Sequence, residues 1–170
     1  MVGAIRGNRT PAALHYDATK WTVKNVIVIP HFAFPLSAIE RRPPLAASAR
    51  RAGWVGCNIR LDAIPADAKI PVIVSGAALP RETVRQQYKR VRPLADLTVE
   101  QRGWTLDVLN VVRSLGAHRF SLADVYGHAE ALSRLHPRNR HVRDKIRQQL
   151  QVLRDLGLLE FLGGGQYRIS

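Results

Sequence analysis

One stretch constrains this chain more than any other. His136 to Gly157 reads HPRNRHVRDKIRQQLQVLRDLG. Val142, Ile146, Leu150 and Leu153 fall at helical spacing and predict one amphipathic helix of about four turns. The opposite face carries Arg140, Arg143, Arg147, Gln148, Gln151 and Arg154. Asn139 is placed to cap its start, Gly157 suits a left-handed stop, and Pro137 sits just outside the ladder. Arg, Gln and Asn pair bidentately with guanine and adenine edges in a major groove. A surface helix with a solvated charged face has the same pattern, so the neighbouring elements must decide.

Those neighbours form an ordered set. Thr98 to Leu115 predicts a helix, with Trp104, Val108, Val111, Val112 and Leu115 on its buried side and a capping box from Thr98 and Gln101. Gly116 closes it. Phe120 to Leu122 reads as a short extended piece, and Leu122 to Leu135 as a second helix capped by Ser121. After the third helix, Leu158 to Leu162 and Gln166 to Ile169 predict two strands joined by Gly163, Gly164 and Gly165. Three helices, a short strand and a terminal hairpin are the parts of a winged helix-turn-helix. Its third helix enters the major groove, and its hairpin, the wing, rests on the backbone. Arg140, His141, Arg143, Asp144, Arg147 and Gln148 are the residues nearest the bases in that arrangement. The three glycines leave the wing's backbone free to lie close to a surface; a merely flexible turn is the plainer reading.

The first half is less regular. Gly3, Gly7, Asn8 and Pro11 break any helix. Trp21 to Ile29 (WTVKNVIVI) reads as a strand ending at Pro30, and HFAFP as a loop. Ile59 to Ile64 and Lys69 to Ser75 read as two more short strands. Leu79 to Arg92 predicts a helix opened by Pro80, with Val84 and Tyr88 apolar and its cations solvated. Residues 93–98 look like a linker. This places a domain boundary between residues 1–96 and 97–170. Between the strands, Arg50 and Arg51 lie beside Gly53, Trp54 and Gly56. Two glycines around a tryptophan predict a tight loop that either tucks the ring under the core or presents it to nucleic acid, with the arginines on phosphate.

Charge narrows the partner. Lys and Arg outnumber Asp and Glu 26 to 13, a net charge of +13. Such an excess points to a polyanion, nucleic acid first and an acidic membrane surface second. Residues 1–96 hold 15 basic and 6 acidic side chains, so most of the excess lies outside the helix-turn-helix. No apolar run is long enough to span a bilayer, and the first residues lack the apolar core of a secretory signal. The single cysteine, Cys57, rules out an internal disulfide and a cysteine-rich zinc site within these 170 residues. A reduced, cytosolic setting fits.

The segments RGWTLDVLNVV, FSLADVY, HVRDKIRQQLQVLRDLGLLEF and GQYRIS resemble the winged-helix domain of the DpnI-type, or Dam-replacing, methyl-directed restriction endonucleases. WTVKNVIVIP, SAIERRPPL and ARRAGWVGCNI resemble the second half of that family's nuclease domain. The resemblance covers nearly the whole chain. It implies an α+β chain: a partial, N-terminally truncated PD-(D/E)xK-type nuclease domain over 1–96, then a winged helix-turn-helix over 97–170. It implies double-stranded GATC DNA carrying N6-methyladenine as the partner, and Trp54 as the sensor of the methyl groups. Arg50 and Arg51, by charge, would be the loop's phosphate contacts.

The family's Mg²⁺-binding acidic residues and lysine, and its zinc cysteines, lie before the matched region, so no catalytic or metal residue and no cofactor is assigned here. Asp62 and Asp67-Ala68-Lys69 imitate the acidic, acidic-x-Lys pattern that holds Mg²⁺, but at too short a gap and after the RRAGW loop rather than before it. The leading reading is methylation-specific DNA binding without the cutting parts. The alternatives are an active nuclease completed by an upstream catalytic polypeptide, and a stand-alone winged-helix regulator. Half of a nuclease domain would also leave strands such as Val26 to Ile29 without partners.

Overall fold

The computed structural model describes residues 12–170; the helix-breaking roles expected for Gly3, Gly7, Asn8 and Pro11 lie outside these residues. β1 (Ala12–Asp17) pairs antiparallel with β2 (Thr22–Val28). β5 (Ile70–Val74) pairs with the other side of β2, and β6 (Ala77–Ala78) completes the order β1-β2-β5-β6. Within the run Val26 to Ile29, Val26, Ile27 and Val28 therefore do have strand partners on both sides. β2 is an interior strand, and its β-branched composition suits that position.

β3 (Ile39–Arg41) and β4 (Cys57–Ile59) form a separate two-stranded ladder. The strand expected over Ile59 to Ile64 is not formed. The chain leaves β4 into a 3₁₀ turn at Leu61–Ala63, and Pro65, which has no N–H to donate to a ladder, follows. The HFAFP segment is not merely a loop: it contains a 3₁₀ turn at His31–Ala33 that buries Phe32 and Ala33.

α1 (Arg81–Val91) follows Pro80 as expected. Residues 93–98 do not form an open linker. A 3₁₀ turn at Arg92–Asp96 buries Leu94, and Arg102 Nη1 donates to the carbonyls of Ala95 and Leu97. The connection is braced against the first turn of α2 (Val99–Ser114). Thr98 and Gln101 make the reciprocal capping box. α2 is buried beyond one stripe: Thr105, Leu106, Asp107 and Leu109 join Trp104, Val108 and Val112. Its residues face both halves of the chain, and Ile29, Phe32 and Ile70 share one core cluster with Leu106, Leu109 and Leu150.

β7 (Arg119–Ser121) leads into the second helical stretch, which is two helices rather than one: α3 (Leu122–Tyr126) and α4 (Ala129–Leu135). Gly127 and His128 break it, and a Cβ on Gly127 would meet the Asp124 carbonyl oxygen at 3.2 Å. A side chain there would ask that carbonyl to give by only a few tenths of an ångström. α5 (Val142–Asp155) is followed by β8 (Leu159–Gly163) and β9 (Gln166–Ile169), in a sheet of order β7-β9-β8.

Candidate nucleic-acid interface

α5 begins later than its pattern predicts. His141 is its N-cap residue, and the Asn139 side chain accepts from the His141 backbone N–H at 2.8 Å. Asn139 therefore closes the preceding turn instead of capping the helix. Arg140 and His141 sit in that turn, both exposed. On the helix, Ile146, Leu150 and Leu153 are buried as expected and Val142 is partly so. Gln149 is buried among them, which the pattern does not reveal; Thr105 Oγ1 reaches its Oε1 at 2.7 Å.

The exposed face of α5 has two flanks, as 100° per residue requires. Arg143, Arg147 and Arg154 lie on one; Asp144, Gln148 and Asp155 lie on the other, all exposed. The arginine flank borders the wing. Arg143 stands over the ring of Tyr126 at 5.4 Å. Burial pushes the Tyr167 phenol up, while Arg147 and Arg154 pull it back. Phe120, Tyr167 and Phe161 lie in register across β7, β9 and β8 and form an aromatic row. Arg168 and Glu160 pair across the wing.

Gly163, Gly164 and Gly165 all take positive φ, which L side chains rarely adopt. The tip is less free than three glycines imply. The carbonyl of Gly165 accepts from the Leu122 N–H at 2.8 Å, tying the wing to the start of α3.

The RRAGW segment is the end of a hairpin. Past β3 and β4, Arg42 N–H donates to Gly56 O at 2.9 Å and Leu45 N–H to Trp54 O at 2.9 Å. Arg50 and Arg51 are exposed at its tip. Trp54 is 54% exposed, so of its two possible placements the ring takes the surface one. The indole folds back over Gly56: a Cβ there would lie 2.9 Å from Trp54 Cη2 and Cζ3. Arg42 Cδ lies 3.7 Å from the same point.

The acidic-x-Lys imitation is otherwise engaged. Arg113 grips Asp67 with Nε at 2.6 Å and Nη2 at 2.5 Å, and Lys69 Nζ donates to Leu61 O at 3.1 Å. Asp62 is exposed and paired with Arg60, whose guanidinium holds its carboxyl below the usual range. Among the described residues no group of three His, Cys, Asp or Glu is placed to hold a metal. Asp67 in a guanidinium fork does not fit a Mg²⁺ ligand.

A basic helix flank, a glycine-tipped wing and an exposed indole on one framework are the parts of a DNA reader. The family model for the Dam-replacing family, DpnI, matches residues 1–97, and the model for the Dam-replacing HTH domain matches residues 100–169. The chain belongs to the Dam-replacing family. Its helix-turn-helix makes DNA the partner of this Dam-replacing protein. Among the described residues no helix is long and apolar enough to cross a membrane.

Sequence reasoning also passes over Ser37, Asp107 and His136, which the fold brings together. One signal was available: Asp107 interrupts the apolar run WTLDVLNVV, and a carboxylate there must find partners.

Proposed function

We propose that this Dam-replacing protein reads double-stranded GATC DNA methylated at adenine N6, as the recognition part of a methyl-directed restriction endonuclease. α5 lies in the major groove, with Arg143, Arg147 and Gln148 toward base edges and phosphate. The turn residues Arg140 and His141 approach the backbone. The indole of Trp54 meets the methyl group, an apolar addition that an aromatic face rewards as apolar side chains reward the thymine methyl. Arg50 and Arg51 hold phosphate beside it, and Gly163 to Gly165 carry the wing.

The observation that carries this reading is the exposed Trp54 ring, held at the surface by a bare glycine in a hairpin rich in arginine. Cutting is a separate matter. Asp62, Asp67 and Lys69 do not make a Mg²⁺ site, so the proposed role is recognition, with a catalytic polypeptide as the complement for hydrolysis.

The test is binding of the purified chain to a fully methylated GATC duplex and to the same duplex unmodified, at moderate salt. Preference for the methylated duplex is the expected result. Equal affinity would overturn the reading. Incubation with Mg²⁺ should leave the methylated duplex intact; cleavage by this chain alone would refute a purely recognising role.

A further inference from the structure

α1 carries a charge pattern that its own stability does not call for. Arg81, Arg85 and Lys89 are exposed and recur every four residues. With Arg92 they fall in one arc about 80° wide on the helix surface. The opposite side belongs to the core: Val91 is buried, Val84 packs beside it, and Tyr88 meets Phe32 edge-on with centroids 6.3 Å apart. The neighbouring cations are engaged. Arg90 approaches Asp67 at 3.8 Å and donates to the Ser170 carbonyl, and Arg92 Nη1 meets Asp96 at 3.1 Å. Among the described residues Arg81, Arg85 and Lys89 pair with no carboxylate.

A solvated face explains only part of this. Lys89 and Arg90 in the last turn suit the negative end of the helix dipole. Arg81 does not: it is the first helical residue, at the positive end, where the cap supplies no side-chain hydrogen bond. Arg81 with Arg85, and Arg85 with Lys89, are like charges four apart, and such pairs repel. Glu82 is the one acidic residue on α1. The fold therefore carries these three cations at a cost, and a polyanion bound along them would offset it.

We propose that the arc of Arg81, Arg85 and Lys89 is a sequence-independent contact to the phosphate backbone of duplex DNA, separate from those of the Trp54 hairpin and α5. The proposal rests on the DNA-binding reading, but not on methylation or on base recognition. From Arg81 to Lys89 the helix runs about 12 Å. Over that length one strand of B-DNA presents about three to four phosphates. The core-packed side of α1 holds the row in place, so less freedom is lost on contact. A membrane surface fits less well. A helix lying on lipid buries an apolar face in it, and the apolar face of α1 is already spent on the core.

The test is a salt series on the full chain with three duplexes: one lacking GATC, one with unmodified GATC and one with methylated GATC. The triple variant Arg81→Gln, Arg85→Gln, Lys89→Gln is compared with a control that removes equal charge, Lys20→Gln, Lys24→Gln, Arg60→Gln. Three lost phosphate contacts should make the slope of log affinity against log salt shallower by about 2.7 on every duplex. Between 200 and 50 mM salt the wild type should then gain about 40-fold more affinity than the triple variant. The control should keep the wild-type slope, and so should Arg81→Lys with Arg85→Lys, which preserves the charge. An unchanged slope in the triple variant, an equal change in the control, or a loss confined to GATC duplexes overturns the proposal. Binding to phosphatidylserine vesicles that the triple variant loses, with its duplex slope intact, overturns it in favour of a membrane contact. The shallower slope without any methyl preference in the wild type supports the α1 contact and counts against the methyl reading alone. Thermal melting gives an arm without DNA: the triple variant should melt no lower than the wild type, and a lower midpoint would show that the fold itself needs these cations.

Discussion

Thr105 of α2 and Gln149 of α5 meet inside the helix-turn-helix core, Oγ1 to Oε1 at 2.7 Å, with both residues fully or almost fully buried. Thr105 Oγ1 also lies 2.8 Å from the Gln101 carbonyl oxygen, so its one proton is shared between two acceptors. The pair fixes how α5 sits on α2, because leucines alone would tolerate small rotations. Thr105→Val strands the Gln149 amide and should destabilise the chain by about 1–3 kcal/mol. Thr105→Val with Gln149→Met removes both polar groups and should recover much of that loss. Denaturant melts of the two variants check it; a double variant no more stable than the single one would show that the polar pair is not what matters.

Arg113 and Asp67 hold the first half of the chain against α2 in the same manner, with side chains 16% and 6% exposed. Arg90 of α1 approaches the same carboxylate at 3.8 Å. Arg113→Ala leaves Asp67 buried without its main partner and should cost about 3–5 kcal/mol. Arg113→Lys should recover only part, since an ammonium cannot match the two-pronged contact. Thermal melts distinguish these outcomes from a loss below about 1 kcal/mol, the figure for an exposed pair.

Much of this architecture was legible from local rules. Periodicity located α1, α2 and α5, and the Thr98 box and Gly116 marked ends correctly, because caps and stripes are set by residues within four positions of each other. Periodicity does not show the break between α3 and α4, because Leu122, Val125, Ala129 and Leu132 keep helical spacing straight across it. β1 leaves no such signal, because a strand is defined by its partner and Ala12–Asp17 has little pattern of its own. Exposure of Trp54 was undecidable from its neighbours alone: Gly56 makes room for the ring, yet a glycine suits a buried ring as well. The Ser37–Asp107–His136 bonds span 70 and 29 positions along the chain, beyond any local signal.

The place of Gly56 under the indole leads to a substitution that leaves Trp54 itself untouched. Gly56→Ala puts a methyl 2.9 Å from two ring carbons, which forces the ring to move. The ladder around it keeps its hydrogen bonds, so the fold should hold. The expected result is a several-fold loss of preference for methylated over unmodified GATC duplex, about 1 kcal/mol, with little change in affinity for the unmodified one. Trp54→Ala should abolish the preference further. Full discrimination by Gly56→Ala would mean that the pose of the ring is not what reads the methyl group.

Ser121 and Asp124 make a reciprocal cap at the start of α3, with Asp124 accepting from the Ser121 N–H at 2.7 Å and from its hydroxyl at 2.8 Å. The Ser121 backbone N–H, and then its hydroxyl, hold the Asp124 carboxyl below its ordinary value. A depressed carboxyl stabilises the fold above its unfolded pKa, about 4, and that contribution fades as pH falls through the folded value. Asp124→Ala should therefore melt below the wild type at neutral pH, and the difference should shrink in acid. A difference independent of pH would assign the effect to helix packing rather than to the charge.

Arg143 is the best prepared of the helix arginines, because its guanidinium is already parked over the Tyr126 ring at 5.4 Å. A side chain held this way gives up less freedom on meeting a base or phosphate. Arg143→Ala should cost about 1–3 kcal/mol in affinity for the GATC site, with a much smaller loss on unrelated duplex. Tyr126→Leu, which keeps bulk but removes the cation–π face, should move affinity in the same direction by a fraction of that. Titrations across a salt series separate the roles: a base contact leaves the slope of log affinity against log salt unchanged, whereas a phosphate contact makes it shallower by about one counterion. A uniform loss on every duplex with the shallower slope would place Arg143 on the backbone and leave base reading to Arg147 and Gln148.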